Sequence, residues 1–265
     1  MTANITKKED KKPVRFSVAI KDEKYQQLIN DTLGDKELAR QFVADISSVV
    51  SNNYQLQNCD ARTILTAGLV ASSLKLPLAP TLGFAYVVPY KDKAQFQIGW
   101  KGLVQLAQRS GQFKRLGVRD VHQGEWVGQD EFGEDLFKFS HEHDEQPIVG
   151  YYAYFELLNG FKKTVYWTKE QCEKHGSTYS QAHKGSNRGG EFDNWTKMFD
   201  IMAEKTVMKQ LLSKYAPLST ELQRAIEYDQ AIVGDDGKPN YVDNEPVVKP
   251  SGQINNVEDA VATDE

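Results

Sequence analysis

Three features of the sequence predict an α+β fold. Amphipathic helical spacing fills the first third of the chain. Two pairs of short alternating runs, each joined by a polar turn, occupy the middle. A long helical stretch follows before the composition turns acidic. The expected architecture is a set of N-terminal helices, then a core of two β-hairpins plus one strand with a crossing helix. A long C-terminal helix and a disordered acidic tail complete it. Residues 1–20 are read as a disordered basic arm, 21–232 as a single domain and 233–265 as the tail.

Each element has its own signal. Residues 21–53 read helical in two pieces split at Gly34-Asp35, with Leu38, Phe42, Ile46 and Val49 recurring at helical spacing. Asp60 can cap a third helix carrying Ile64, Leu65, Leu69 and Leu74, and Pro77 and Pro80 end it. Residues 84–90 and 94–98 form a hairpin around Lys91-Asp92-Lys93. Gly99 or Lys101 opens a helix through Arg109, which Ser110-Gly111 stops. Residues 113–124 resume as strand, and 125–147 read as acidic loop. Residues 149–158 and 162–168 make a second hairpin with Asn159-Gly160 as a type I′ turn. Thr168 caps a short helix. The stretch 176–190 is polar, glycine-rich and expected to be mobile without ligand. Residues 192–215 form the long helix, whose buried side is Trp195, Phe199, Met202, Val207, Leu211 and Leu212, and 219–228 add a short helical piece.

Bulk properties narrow the function. The chain has 265 residues, 40% of them hydrophobic, enough for a sizeable core. No apolar run approaches the ~20 residues of a membrane span, and the first residues lack the apolar centre of a secretory signal. Cys59 and Cys172 stand alone, with no pairing pattern for a disulfide framework or a zinc site, so a reducing cytoplasm is expected. The net charge of −5 hides a strong asymmetry. Residues 216–265 and 120–145 each carry −8, which leaves +11 on the rest. Between Lys91 and Arg119 there are seven Lys or Arg and one acid, Asp92. At a Debye length of ~8 Å, local charge rather than the total governs contact with a polyanion.

Three groups of cations follow as candidate phosphate contacts. The first is Lys101, Arg109, Lys114, Arg115 and Arg119, where a helix and the next strand can wall a groove. On a strand starting at Phe113, Arg115 and Arg119 share one face and Lys114 takes the other. The second is Lys197, Lys205 and Lys209. The last two are i,i+4 neighbours that repel unless an anion lies between them. The third is Lys184 and Arg188 in the glycine-rich stretch. Aromatic residues along the strands (Tyr86, Tyr90, Phe96, Tyr151, Tyr152, Tyr154, Tyr166, Trp167) read mainly as core. Trp100, beside Lys101, is the candidate for stacking on a base. Each cation also has a plainer reading, as surface charge that keeps the protein soluble.

Other chemistries fit poorly. His141 and His143 fall short of a zinc ligand set. Lys184-Gly185-Ser186 lacks the upstream glycine spacing of a phosphate-binding loop. The sequence therefore implies no ATP and no required cofactor, with Mg²⁺ optional. A Mg²⁺-dependent nuclease built on Glu125, Asp130, Glu134 and Asp193 is one alternative. A recombination scaffold acting through its acidic tail is another.

The blocks G-F-A-Y-V-V-P-Y from Gly83, Q-F-Q-I-G-W-K-G-L from Gln95, R-S-G from Arg109 and A-E-K-T-V-M-K-Q-L-L from Ala203 follow one another in order. Together they resemble the RecT family of phage-type single-strand annealing proteins, over roughly residues 25–220. Asn194 stands where family members often carry proline. The resemblance implies a non-enzymatic protein that binds single-stranded DNA, anneals it through a duplex intermediate and assembles into rings or helical filaments. It also implies a 5′→3′ exonuclease and a host single-strand binding protein as partners, no membrane, and a phage or prophage origin in a bacterial cytoplasm. Residues 38–50 are read as part of the contact between subunits.

Overall fold

The computed structural model describes residues 15–185, 188–190, 193–234 and 237–241. Helices and small antiparallel sheets alternate along it, an α+β arrangement. The N-terminal layer contains α1 (Phe16–Ala19), α2 (Glu23–Leu33), α3 (Lys36–Ser51) and α4 (Ala61–Ser73). Asp22, Asp35 and Asp60 cap α2, α3 and α4 through their carboxylates. Gly34 closes α2 in the left-handed conformation. Order begins earlier than the sequence implies: Phe16, Ala19 and Ile20 are buried, so the supposed arm reaches at most to residue 15. Residues 1–14 lie outside the described part. Helix α4 ends at Leu74, followed by Lys75 at φ 53°, before Pro77 is reached, so the backbone turn rather than the proline stops it.

Strands β1 (Ala85–Tyr90) and β2 (Lys93–Ile98) pair in register through a two-residue turn at Lys91-Asp92. Lys93 therefore belongs to a strand. Helix α5 (Trp100–Arg109) follows directly, with Gly99 at its N-cap. The glycines of this motif have a steric cause. A Cβ on Gly99 would lie 2.0 Å from the Gly83 carbonyl oxygen, and one on Gly102 would lie 2.2 Å from that of Phe84. The Gly99 N–H donates to Phe84 O at 2.9 Å. Bare backbone lets residues 83–84 cross the start of α5.

Strand β3 (Phe113–His122) pairs antiparallel with β6 (Ile148–Leu157), and β6 with β7 (Lys162–Thr168). The acidic stretch read as loop contains a separate hairpin of β4 (Trp126–Gln129) and β5 (Asp135–Phe137). The β6–β7 turn is not type I′. Asn159 keeps negative φ, the Gly160 N–H donates to Leu157 O at 3.0 Å, and Gly160 alone takes positive φ. That is a type I turn closed by a glycine bulge. Thr168 and Gln171 form a capping box on α6 (Lys169–Tyr179), which extends helix into the stretch expected to be mobile.

The expected long C-terminal helix is broken. Asp193 caps α7 (Asn194–Lys197), and Met198 at φ −139°, ψ 52° separates it from α8 (Phe199–Tyr215). Residue 192, the expected helix start, lies outside the described part. Helix α8 does not bury one side only. Met208 and Leu212 join the core of the helical layer and the β1–β2 hairpin. Ala203, Val207 and Leu211 join a second core with Tyr151, Phe155, Cys172 and Trp195 beneath the three-stranded sheet. After α9 (Thr220–Tyr228), capped by Ser219, Ala231 bridges Phe96 of β2. Strand β8 (Ile232–Val233) then pairs with β9 (Pro239–Asn240). Ordered structure thus runs past the expected tail start at 233, and residues 242–265 lie outside the described part.

Candidate nucleic-acid interface

The three-stranded sheet has one face covered by α8 and an outer face that Phe137 and Phe139 cover at its Tyr152–Tyr166 end and leave open toward Lys114, Arg115 and Lys162. Cross-strand partners place Leu116, Val118, Ala153, Phe155 and Val165 on the covered face, above α8. Arg115, Gly117 and Arg119 of β3 stand opposite Glu156, Tyr154 and Tyr152 of β6, which face Lys162, Thr164 and Tyr166 of β7. This outer face therefore joins basic and aromatic side chains. Tyr154 lies across Gly117, whose missing Cβ would sit 2.7 Å from the tyrosine hydroxyl.

A bulge changes the expected geometry of Lys114. Phe113 pairs with Leu157 and Arg115 with Glu156, which leaves Lys114 as the extra residue. It does not turn to the opposite face. Lys114 Nζ bonds Glu156 at 2.8 Å, and Arg115 Nε lies 3.6 Å from the other oxygen of the same carboxylate. Lys162, which sequence reasoning missed, is the cross-strand neighbour of Glu156. The hydrogen bond from Lys114 outweighs the opposing pull of burial. With the charges of Lys114, Lys162 and Arg115, it holds Glu156 below the ordinary carboxylate range. Three cations share one anion, so two positive charges are left over, on side chains that remain largely exposed. The Lys162-Lys163 pair beside the turn is the sequence signal that could have found it.

The other candidates divide by what already holds them. Lys101 is exposed at the start of α5, its stem beside Gly83, and makes no ion pair among the described residues. Trp100 is half-buried in the same turn. Arg109 donates to Leu74 O at 2.6 Å and so closes the end of α4. Arg119 stacks on Phe139 at 3.9 Å and lies 3.5 Å from Glu125, whose carboxylate is fully buried. Lys197 is exposed on α7.

Lys205 and Lys209 do have an anion between them, and the protein supplies it. Asp229, fully buried, lies 3.6 Å from Lys205 and 2.6 Å from Lys209, and accepts from the Ile98 N–H at 3.1 Å. Burial alone would raise the Asp229 pKa. The charges of Lys205 and Lys209 and the bonds from Lys209 and Ile98 outweigh it and bring it below its usual value. Burial, helped by Lys209, draws Lys205 down in spite of the pull of Asp229. The pair therefore clamps α8 to the chain after α9 and to β2. Both ammonium groups are thus committed to an internal anion, and their side chains are only 12% and 29% exposed.

Lys184 and Arg188 flank a knot at the end of α6. His183 is buried, with Nδ1 2.9 Å from Asp193 and Nε2 3.3 Å from Glu173. Asp193 also accepts from the Thr196 hydroxyl at 2.6 Å and the Gly189 N–H at 2.7 Å. Against the upward pull of burial, these bonds hold its carboxyl far below the usual range. Arg188 pairs with Glu173. Lys184 is half-buried.

The four acids considered for a nuclease do not converge. Glu125 accepts from the His122 N–H at 2.7 Å, Asp130 accepts from the N–H groups of Phe132 and Glu134, Glu134 pairs with Lys163, and Asp193 holds His183. Among the described residues no group of three or more His, Cys, Asp or Glu is arranged to hold a metal ion. No described helix is long and apolar enough to cross a membrane.

Comparison with known proteins matches this arrangement to a family. The RecT family model matches residues 40–247. An uncharacterized Bacillus subtilis protein, YqaK, is 37% identical over 94% of this chain and 90% of its own length. Protein RecT of Escherichia coli is 33% identical over 66% of this chain and 65% of its own length. The span matched by the family model takes in the glycine crossing at α5, the basic outer sheet face and the α8 clamp alike. The chain thus belongs to the RecT family, whose members are recombination proteins that anneal DNA strands rather than enzymes.

Proposed function

We propose that the chain anneals complementary single strands without ATP, gripping one strand by its backbone in a basic groove that runs across an oligomer. The observation that carries this reading is the outer sheet face, where Lys114, Arg115 and Lys162 outnumber Glu156 beside Tyr154. Lys101 on α5 adds a further exposed cation. Pairing itself is downhill, since DNA stacking contributes a mean of ~1.4 kcal/mol per step. What opposes it is phosphate repulsion and internal hairpins. Cations that neutralise one backbone and hold it extended remove both, and need read no base edge. The protomers form a ring or a helical filament. A 5′→3′ exonuclease supplies the single strand and the host single-strand binding protein surrenders it, in a bacterial cytoplasm, from a phage or prophage gene.

The test is hybridisation of labelled complementary oligonucleotides at low ionic strength, with Mg²⁺ and no nucleoside triphosphate. The expected outcome is faster pairing with strands of unchanged length on a denaturing gel. No acceleration, or shortened strands, would overturn the proposal.

A further inference from the structure

The β4–β5 hairpin leaves an aromatic side chain in water. Phe132 at its tip is 82% exposed, and Trp126, Val127 and Leu136 along it are each more than 40% exposed. The tip is nonetheless well built. Asp130 Oδ1 accepts from both the Phe132 and Glu134 N–H groups at 2.9 Å, and Gly133 turns the chain at φ 75°. Glu131 and Phe132 therefore project from an ordered turn, in a stretch where residues 120–145 hold nine acids and one base. An exposed apolar tip of this kind marks a contact surface.

A complementary surface lies in the N-terminal layer. Helices α2 and α3 flank an open surface groove of about 350 Å³ lined by Gln26, Asn30, Lys36, Ala39, Arg40 and Val43. Ala39 and Val43 give it an apolar floor, and Lys36 and Arg40 are exposed cations on its rim. The only acid paired with Arg40 among the described residues is the exposed Glu37, at 3.4 Å. An acidic hairpin with an aromatic tip and a basic-rimmed groove with an apolar floor are complementary in charge and polarity.

We propose that the β4–β5 hairpin of one protomer docks into the α2–α3 groove of a second copy of this chain, with Phe132 as the anchor and Glu131 facing Lys36 and Arg40. Tip and groove are different patches on one molecule, so the contact is heterologous. Each copy carries both a groove and a hairpin, so assembly continues until it closes or forms a helix. The inference rests on the oligomeric part of the proposed function and assigns its surface.

The experiment measures assembly by sedimentation velocity, with and without a long single strand. In parallel, binding of an oligonucleotide short enough for one protomer is measured. Phe132→Ser, Glu131→Lys and the pair Lys36→Glu with Arg40→Glu are each expected to weaken assembly at least about tenfold. Short-oligonucleotide binding and the circular dichroism spectrum stay unchanged. Combining Glu131→Lys with Lys36→Glu and Arg40→Glu restores assembly. Because Cys59 and Cys172 are buried, a mixture of Phe132→Cys and Arg40→Cys chains gives a disulfide-linked heterodimer on oxidation. Normal assembly of the single variants, or no heterodimer, overturns the docking alone. A parent chain that stays monomeric on long DNA overturns both the docking and the oligomeric reading. A parent that assembles yet fails to anneal overturns the proposed function while leaving the docking intact.

Discussion

Asp229 decides what two of the conspicuous lysines do. From sequence, Lys205 and Lys209 read as a phosphate pair, and the need for an anion between them was legible from their i,i+4 spacing. That the anion is internal was not, because Asp229 lies twenty residues beyond Lys209 with no periodic relation to it. Asp229→Asn leaves Lys205 and Lys209 without their shared anion and is expected to cost about 3–5 kcal/mol in chemical denaturation, whereas Lys205→Ala, which leaves Asp229 bonded to Lys209, should cost less. The acid dependence follows from Asp229. Its folded pKa lies below the unfolded value, so its contribution is full at neutral pH and is lost as pH falls below the ordinary carboxylate range. Asp229→Asn should remove that part of the acid sensitivity. The outer-face cations behave differently. Arg115→Ala and Lys162→Ala should leave stability nearly unchanged and weaken binding to every sequence alike. Each should also flatten the slope of log K against log salt by ~0.7 for every phosphate left without its cation. Titrations of several unrelated oligonucleotides at stepped salt check this, and weakening confined to some sequences would contradict backbone gripping.

Elements were legible where their signals are local. Asp60 and Thr168 cap the helices read from them, and Asp22, Asp35 and Ser219, not read as caps, do the same for their own helices. The elements misjudged are those set by distant partners. The β4–β5 hairpin hides in acidic sequence because its apolar residues are few, and its inner side is secured by Phe137 against Tyr152 and Tyr166. The bulge at Lys114 depends on the register of β6. The break at Met198 interrupts a stretch whose helical periodicity looks continuous. The glycine motif is a backbone crossing in the fold. Gly99→Ala would drive a methyl group into the Gly83 carbonyl, and a loss of roughly 2 kcal/mol or more in thermal unfolding is expected. DNA binding should fall only as far as the folded fraction does.

At the scale of the whole molecule, α8 is the common wall of two cores. Its two-sided burial explains why a single apolar stripe described it poorly. The division into a helical layer and a sheet unit could not be read from the sequence, since no linker separates them and Phe113, Leu116 and Val118 pack against both. The placement of the basic surface was only half legible. The excess of cations between Lys91 and Arg119 is visible in the sequence, but the fold commits Arg109 to Leu74 and Arg119 to Glu125, and recruits Lys162 from a different strand. The bridge between Ala231 and Phe96, with the Gln230 N–H donating to Phe96 O at 2.8 Å, makes the far end of the chain an edge of the first hairpin. Shortening the gene is therefore safe only up to a definite codon. A stop after Tyr241 should yield soluble protein with full hybridisation activity. A stop after Tyr228 should strip β2 of its neighbour, strand Lys205 and Lys209 without a counter-ion, and leave material that is cleaved rapidly by added protease.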